Sequence, residues 1–326
     1  MSHEIASRAD GRAAMAFTGD TPWHGLGHNL TPGAPLEDWQ REAGLDYSVA
    51  SAPVEYHTED GEHRRAAGQK VLYRSDNAQS LAVVSDRYQV LQPGDVMAFY
   101  RDLTEAQGYT METAGVLKGG RRVWALARAP QEDFAVGGDL MQGYVLLATS
   151  YDGTMATVAS HTTVRVVCHN TLSMAVGAGG ERGDIKIPHN TSFDADAVKA
   201  RLGLRPDLVA RFQENAEAMA RKQVSKDAAV RFFLNVYYPD QETLEVTRAV
   251  NRRLEELVTL WNTAPGQETD AARGTAWGLL NAVTYHTDHA RNTRTQENRL
   301  EAAWFGTGAT TKARAAFEAR KLAEVA

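Results

Sequence analysis

The spacing of apolar and polar residues changes character between residues 190 and 206. Upstream, short runs rich in Val, Thr and Leu alternate with polar positions, which is typical of strands. Downstream, apolar residues recur at helical spacing. The pattern predicts an α+β fold, in which a hairpin-rich, mostly antiparallel sheet with packed helices precedes a helical C-terminal region. We divide the chain into an acidic N-terminal arm with a WHGLG turn (1–63), an α+β core (64–190) and the helical region (191–326).

The clearest strand pattern surrounds the dipeptide Asp152-Gly153. Asp-Gly favours the two-residue turn of a β-hairpin. With this dipeptide at the tip, Leu147 lies opposite Val158, and Tyr144 lies opposite His161. Since side chains alternate across a strand, one face of the hairpin is apolar and forms core, whereas the other is polar enough to meet solvent or a ligand.

The polar face of this hairpin carries candidates for ligand contact, namely Tyr144, His161 and Arg165. Asn170 follows the second strand and is a favourable N-cap, so we expect a short helix to begin there. A helix N-terminus beside a polar sheet face favours anions. A hairpin and helix without any ligand explain the same pattern, and both interpretations stay open.

A second hairpin is predicted around Gly119-Gly120, between strands at 109–117 and 122–129. The tip carries three basic residues, Lys118, Arg121 and Arg122, and Trp124 follows them. Basic residues beside an aromatic side chain suit a groove for single-stranded nucleic acid. A solvated turn has the same composition, so that alternative also stays open.

The remaining pattern predicts simpler elements. The first twenty residues are small and polar, and we expect them to be mobile. Helices are predicted over 36–43 and from Pro93, and strands over 70–74, 81–91 and 184–187. Four apolar stripes at helical spacing follow, which begin at Leu208, Val230, Val250 and Ala272. Such stripes are typical of helices that face a core.

The net charge of −6 is unevenly distributed. Residues 1–63 contain eleven acidic residues and three arginines, a net charge of −8, so residues 64–326 carry +2. A local excess of bases, seven against three acids, marks residues 291–321. Because local fields decide what a surface attracts, the total charge neither favours nor excludes a nucleic-acid partner.

Cysteine usage and hydropathy indicate the compartment. Cys168 is the single cysteine, which excludes an internal disulfide framework and is typical of a reducing environment. No apolar run in the sequence has the length of a signal sequence or of a membrane span. We therefore expect a cytoplasmic protein that does not associate with membranes.

Candidate catalytic residues are sparse. The spacing of His286 and His289 can place both imidazoles on one helix face, as metal ligands require, but the sequence indicates no third ligand. Cys168, His169 and Asn170 are the residue types of a cysteine protease, yet neighbouring side chains on a strand point apart. Phosphate-loop, GxSxG and HExxH motifs are absent from the sequence. The sequence thus predicts no cofactor and no metal, and it gives no positive argument for an enzyme.

Three groups of motifs together resemble one protein family. They are Trp23–Gly27; Ala148–Gly153 with Val164–Leu172; and Thr275–Gly278 with Asp288-His289 and Gly306–Gly308. The family is the phage- and plasmid-encoded one called domain of unknown function 932, and the resemblance extends over nearly the whole chain. It implies a mobile genetic element and the host cytosol, and it supplies no established catalytic residues. The order of hairpins and helix is also similar to that of single-strand-annealing recombinases.

Taken together, these patterns lead us to expect a protein that binds single-stranded DNA without sequence preference and anneals or protects it. The expected contact residues are Tyr144, His161, Arg165, Asn170, Lys118, Arg121 and Arg122. Two other classes stay open. One is a metal-assisted hydrolase or nuclease that uses His286 and His289, and the other is a protein-binding inhibitor of host defence that uses the acidic arm. Formation of a homo-oligomer also stays open.

Overall fold

The computed structural model describes residues 5–6, 8, 10–19, 26–165, 170–173, 184–203, 206–239, 247–291 and 302–324, with backbone only at 165, 170–173, 203 and 206–208. The chain forms two compact units. Unit 1 comprises Met1–Ala129, Val145–Ser160 and Ile185–Gly203, and unit 2 comprises Pro130–Tyr144, His161–Asp184 and Leu204–Ala326.

In the described part of the chain, the larger of two sheets has nine strands. They are β1 (Met15–Phe17), β2 (His28–Asn29), β6 (Thr110–Leu117), β7 (Arg122–Arg128), β8 (Phe134–Val136), β9 (Asp139–Ser150), β10 (Thr157–Arg165), β11 (Asn170–Ser173) and β12 (Ile185–Ile187). The main path runs β11-β10-β9-β7-β6-β1-β2, while β8 pairs with β9 and β12 with β10. Strands β9 and β10 each contribute residues to both units.

The smaller sheet belongs to unit 1 and is antiparallel, with the order β3-β4-β5. Its strands are β3 (Val49–His57), β4 (His63–Arg74) and β5 (Ser80–Ser85). The ends of β3 and β4 that are joined by the turn are largely exposed, whereas Leu72 near the other end is buried in the core. The buried end of β4 therefore anchors this sheet in unit 1.

Four helices belong to unit 1 and five to unit 2, counting the described residues. Unit 1 contains α1 (Leu36–Glu42), α2 (Pro93–Ala98), α3 (Arg101–Ala106) and α4 (Ala195–Gly203). Unit 2 contains α5 (Pro206–Arg221), α6 (Lys226–Tyr237), α7 (Arg248–Thr263), α8 (Ala276–Tyr285) and α9 (Thr307–Glu324). Side-chain caps fix where several of them begin; for example, Thr275 Oγ1 accepts a hydrogen bond from the Gly278 amide at 3.1 Å. In the described part of the chain, no helix has the length and apolar character needed to cross a membrane.

Each unit has its own hydrophobic core. In unit 1, Trp39, Leu72 and Tyr100 are buried, and the Tyr100 hydroxyl lies 2.6 Å from the Ala125 carbonyl oxygen, which it donates to. In unit 2, Phe233 and Trp277 are buried among the helices. Burial of each large apolar side chain stabilises the folded state by about 1.5–3 kcal/mol. The predicted α+β class, with a mostly antiparallel sheet and a helical C-terminal region, is confirmed.

The turn between β9 and β10 differs from the prediction. Six residues, 151–156, separate the strands, so Asp152-Gly153 is not a two-residue turn. The register also slips, because Thr149 Oγ1 lies 2.8 Å from Thr157 Oγ1 and Ala159 shares the core with Leu147. The hydrogen bond of Ser150 Oγ to the Met155 carbonyl, at 2.7 Å, stabilises this wider loop. A register shift of one residue moves the whole strand's side chains to the other face.

Two further predictions are wrong because the segments concerned pair as strands in the larger sheet. Residues 170–173 form strand β11 and pair with residues 162–165 of β10, so no helix begins at Asn170. Near the N-terminus, β1 is buried and pairs with β6, with Ala16 opposite Ala114. Residues 14–17 are therefore packed in the core, whereas the prediction treated the first twenty residues as mobile.

Candidate functional site

The basic hairpin tip of unit 1 is held in a fixed conformation. Residues Lys118–Gly120 form a single 3₁₀ turn, in which Lys118, Gly119 and Gly120 have φ of 53°, 65° and 106°. The Tyr47 hydroxyl donates to the Gly120 carbonyl at 3.2 Å. A Cβ on Gly120 would lie 2.8 Å from Arg74 Cδ, so both the left-handed backbone and the close packing require glycine.

The Arg74 side chain packs against this turn at Gly120. Its guanidinium makes two hydrogen bonds to the Asp76 carboxylate, at 2.9 and 2.7 Å. It also lies over the Tyr47 ring, 3.9 Å from the centroid, which is a cation–π distance. Because Arg74 is buried and bidentate, its charge is already largely compensated by Asp76.

The Asp152-Gly153 loop packs on the same tip. The Tyr151 amide donates to the Arg121 carbonyl at 2.7 Å, and Arg122 Nη2 donates to Thr154 Oγ1 at 3.1 Å. Burial raises the pKa of Asp152, but hydrogen bonds from Thr154 and the charges of Arg122 and Lys118 outweigh it, so the pKa is lowered overall. The structure thus brings together two hairpin tips that the sequence analysis treated separately.

We call Arg74, Lys118, Arg121 and Arg122 the basic tip. Arg122 is buried, Lys118 is half-buried and Arg121 is exposed. The Arg121 guanidinium has no hydrogen-bond or ion-pair partner among the residues that the structure describes. Of the three basic residues expected at this tip, Arg121 therefore offers the most accessible charge.

The predicted polar sheet face is not a solvent-facing surface. Tyr144 is 3% exposed and its hydroxyl donates to Gln142 Oε1 at 3.1 Å. His161 is 8% exposed and its Nδ1 lies 2.8 Å from Glu132 Oε2. The backbones of Arg165 and Asn170 pair with each other, and their side chains lie outside the described residues. The tight packing of unit 2 accounts for the burial of both Tyr144 and His161.

A second polar cluster lies in unit 2, where residues His286–Ala290 form a π-helical turn directly after α8. Such turns are frequent at functional sites. His286 is buried, and its Nδ1 lies 2.8 Å from the Tyr237 hydroxyl. Its Nε2 lies 3.9 Å from Glu256 Oε1. Burial, and then the positive charges of Arg253 and Arg291, lower the pKa of His286 to about 4, so this imidazole is neutral at pH 7.

The two arginines approach the tyrosine and histidine from different elements. The Arg253 guanidinium lies 5.7 Å from the centroid of the Tyr237 ring. Arg291 is anchored by its backbone amide, which donates to the His286 carbonyl at 2.7 Å, and by Nη1, which donates to Thr307 Oγ1 at 3.0 Å. We call Tyr237, Arg253, Glu256, His286 and Arg291 the His286 cluster.

A buried ion pair supports the same π-helical turn. Lys312 Nζ lies 2.8 Å from Asp288 Oδ1, and both side chains are more than 90% buried. A Cβ on Gly308 would lie 2.6 Å from Thr287 Cγ2, so glycine allows α9 to pack closely here. Asp288 and Gly308, two residues of the late motifs, thus both take part in the packing of α9 against the π-helical turn.

The rings of His286 and His289 contact different tyrosines. The His289 ring packs against Tyr285, with centroids 4.9 Å apart, whereas His286 contacts Tyr237. Within the described ranges, no group of three or more His, Cys, Asp or Glu side chains could hold a metal ion. Sequence reasoning missed Tyr237, Arg253 and Glu256, because they come from α6 and α7 and no spacing along the chain relates them to His286.

Comparisons with known proteins give one finding. No curated protein and no solved structure matches the chain. The model of one family, described as Domain of unknown function (DUF932), matches residues 80–304. That range includes the whole His286 cluster and three residues of the basic tip, Lys118, Arg121 and Arg122. Since the match covers more than half of its residues, the chain belongs to the DUF932 family.

Proposed function

We propose that this protein binds single-stranded DNA without sequence preference, through the basic tip of unit 1, and that it anneals or protects the bound strand. The observation that carries the proposal is the exposed guanidinium of Arg121 on a turn held by Tyr47, Arg74 and the loop 151–156. A fixed backbone lowers the entropy lost when a side chain is ordered on binding.

The chemistry of the tip favours contact with phosphates. Arginine donates along a planar fork that suits phosphate oxygens. The neighbouring aromatic side chains Tyr47 and Trp124 are buried, so they offer no stacking platform for bases. Phosphate contacts carry no sequence information, which is why we expect binding without sequence preference. Single strands are proposed because the order of hairpins and helix is similar to that of single-strand-annealing recombinases.

We also propose that the protein acts in the host cytosol on the DNA of a phage or plasmid, because the sequence resembles a family encoded by such elements. Annealing needs two strands held close together, so a homo-oligomer is part of the same proposal.

Arg121→Ala tests the proposal, with Arg101→Ala as the matched control. Arg101 is an exposed arginine of the same unit, on α3, where it pairs with Glu37 and Glu105. Both variants change the net charge equally. We expect Arg121→Ala to weaken binding of a labelled oligothymidylate by about 1–3 kcal/mol, the range for a hydrogen bond to a charged group. Arg101→Ala should bind within about 0.5 kcal/mol of wild type.

Fluorescence anisotropy measures both affinities, and an otherwise identical duplex serves as a second probe. Equal losses in the two variants would show that only the overall charge matters. Tighter binding of the duplex would contradict the assignment of single strands.

A further inference from the structure

We propose that the His286 cluster of unit 2 binds a phosphate group, with the guanidinium groups of Arg253 and Arg291 as its two charged donors. This site is separate from the basic tip, and the inference does not depend on DNA binding at that tip.

The first argument is convergence. Arg253 comes from α7 and lies over the Tyr237 ring, while Arg291 follows the π-helical turn that carries His286. The charge of each arginine acts on both the Tyr237 hydroxyl and the His286 imidazole. Arg253 approaches this pair through its guanidinium, and Arg291 is tied to it through its backbone amide, which donates to the His286 carbonyl at 2.7 Å.

The second argument is charge. In the part of the chain that the structure describes, neither Arg253 nor Arg291 forms an ion pair with a carboxylate. Glu256 is an acid whose charge acts on Tyr237, and its Oε1 lies 3.9 Å from His286 Nε2. Asp288 is already paired with Lys312. Counting described residues alone, two guanidiniums against one carboxylate leave a net charge of +1 beside a neutral imidazole, and an anion that binds both guanidiniums relieves their mutual repulsion.

The third argument is the geometry of the donors. The Tyr237 hydroxyl, whose pKa is raised by burial, lies 2.8 Å from His286 Nδ1. With the proton of the neutral imidazole on Nε2, the nitrogen that faces Glu256, this hydroxyl donates to Nδ1. Tyrosine and histidine thus pair with each other, while the Arg253 guanidinium and the Arg291 guanidinium nitrogens other than Nη1 remain available to a ligand. Planar guanidinium forks match the oxygens of a phosphate.

The ligand class is a phosphate group, whether free, on a nucleotide or within a nucleic-acid strand. Isothermal titration at constant ionic strength separates these sources with three probes: inorganic phosphate, thymidine monophosphate and an oligothymidylate without terminal phosphates. Saturable binding of inorganic phosphate by the wild-type chain is expected. Tighter binding of the nucleotide or of the strand would identify the source of the phosphate.

Arg253→Ala is the test variant, and Arg252→Ala is its matched control. Arg252 is the preceding exposed residue of α7, so its loss changes the net charge equally and its side chain projects about 100° around the helix from Arg253. We expect Arg253→Ala to weaken phosphate binding roughly tenfold, and Arg252→Ala by less than about twofold. Arg291→Lys keeps the positive charge but loses the planar guanidinium, so we expect phosphate binding to weaken by more than about twofold and less than about tenfold.

Two results would overturn the inference. One is an absence of saturable phosphate binding by the folded wild-type chain, and the other is an equal effect of Arg252→Ala and Arg253→Ala. Arg121→Ala distinguishes this site from the basic tip, because it should leave binding of inorganic phosphate unchanged even where it weakens DNA binding.

Discussion

Gly278 shows at residue scale how closely the helices of unit 2 approach their neighbours. A Cβ at this position would lie 2.0 Å from the Ala272 carbonyl oxygen and 2.9 Å from Gln267 Oε1. Backbone must therefore shift in Gly278→Ala, and we expect a loss of about 1–3 kcal/mol in the free energy of unfolding, typical of an overpacked core. Urea denaturation followed by circular dichroism measures it.

Gly94→Ala is the control for that substitution. Gly94 is also helical with an ordinary φ, but its nearest neighbour is the end of the flexible Gln40 side chain, at 3.3 Å. Alanine gains up to about 1 kcal/mol in helix propensity over glycine. We therefore expect Gly94→Ala to be neutral or stabilising. Equal destabilisation by both substitutions would contradict the packing argument.

The imidazole of His286 makes the stability of unit 2 depend on pH. Its pKa in the folded chain is about 4, below the value of 6.5 that an unperturbed histidine has. As the pH falls from 6.5 towards 4, the unfolded chain binds a proton that the folded chain does not, so stability decreases. Over this window the loss amounts to roughly 3 kcal/mol.

His286→Gln removes the titrating group while its amide oxygen can still accept a hydrogen bond from Tyr237. The decrease in unfolding free energy between pH 7 and pH 4 should therefore be roughly 3 kcal/mol smaller in the variant than in wild type. Denaturation of both proteins at several pH values measures this difference. Identical pH profiles would show that His286 is not the group responsible.

The sequence predicted local conformations at residue scale better than it predicted partners. The turn at Gly119-Gly120 follows from the left-handed backbone that glycine permits. In contrast, nothing in the sequence predicts that Tyr47 and Arg74 hold this turn, because those contacts join residues more than forty positions apart. The same holds for Tyr237, which lies 49 residues before its partner His286.

At the scale of elements, amphipathic helices were predicted well and strand pairing was not. The apolar stripes near Leu208, Val230 and Val250 correspond to α5, α6 and α7, since helical spacing is a local property. Register depends on the partner strand, which explains the slip at Thr149 and Thr157. Strand β11 replaced the expected helix because its backbone groups pair with β10.

Burial of the short strand β1 contributes to the stability of unit 1. Ala16 is fully buried, and its parallel partner His28 on β2 is exposed. Ala16→Asp places an unpaired carboxylate in the core, so we expect a loss of at least about 3 kcal/mol of stability. His28→Asp introduces the same side chain at the paired position in solvent, and it should change stability by less than about 0.5 kcal/mol.

Thermal denaturation of both variants measures this difference. If Ala16→Asp melted at the same temperature as His28→Asp, segment 10–19 would be as mobile as its small, polar sequence suggests, and the packing of β1 on β6 would be unimportant for stability.

At the scale of the whole molecule, the net charge of −6 repels DNA at long range, so binding has to rely on local cations. Arg74 is already engaged with Asp76, and Arg122 with Thr154. Arg121 is exposed and has no side-chain partner among the described residues, so it is the member of the basic tip that we expect to reach a phosphate. Each contact with a single strand releases about 0.7 of a counterion, so each contact contributes about −0.7 to the slope of log affinity against log salt concentration.

Arg121→Ala should make that slope shallower by about 0.7, because one phosphate contact is lost. Arg101→Ala should leave it unchanged, although both variants reach the same net charge. Anisotropy titrations of an oligothymidylate over a series of salt concentrations give the slopes. A wild-type slope steeper than about −3 would mean that most phosphate contacts lie outside the basic tip, and an unchanged slope in Arg121→Ala would exclude this residue as a contact. The slope is the better test of whether Arg121 contacts a phosphate. A destabilised fold also lowers the affinity, whereas a change of slope requires the loss of an ionic contact.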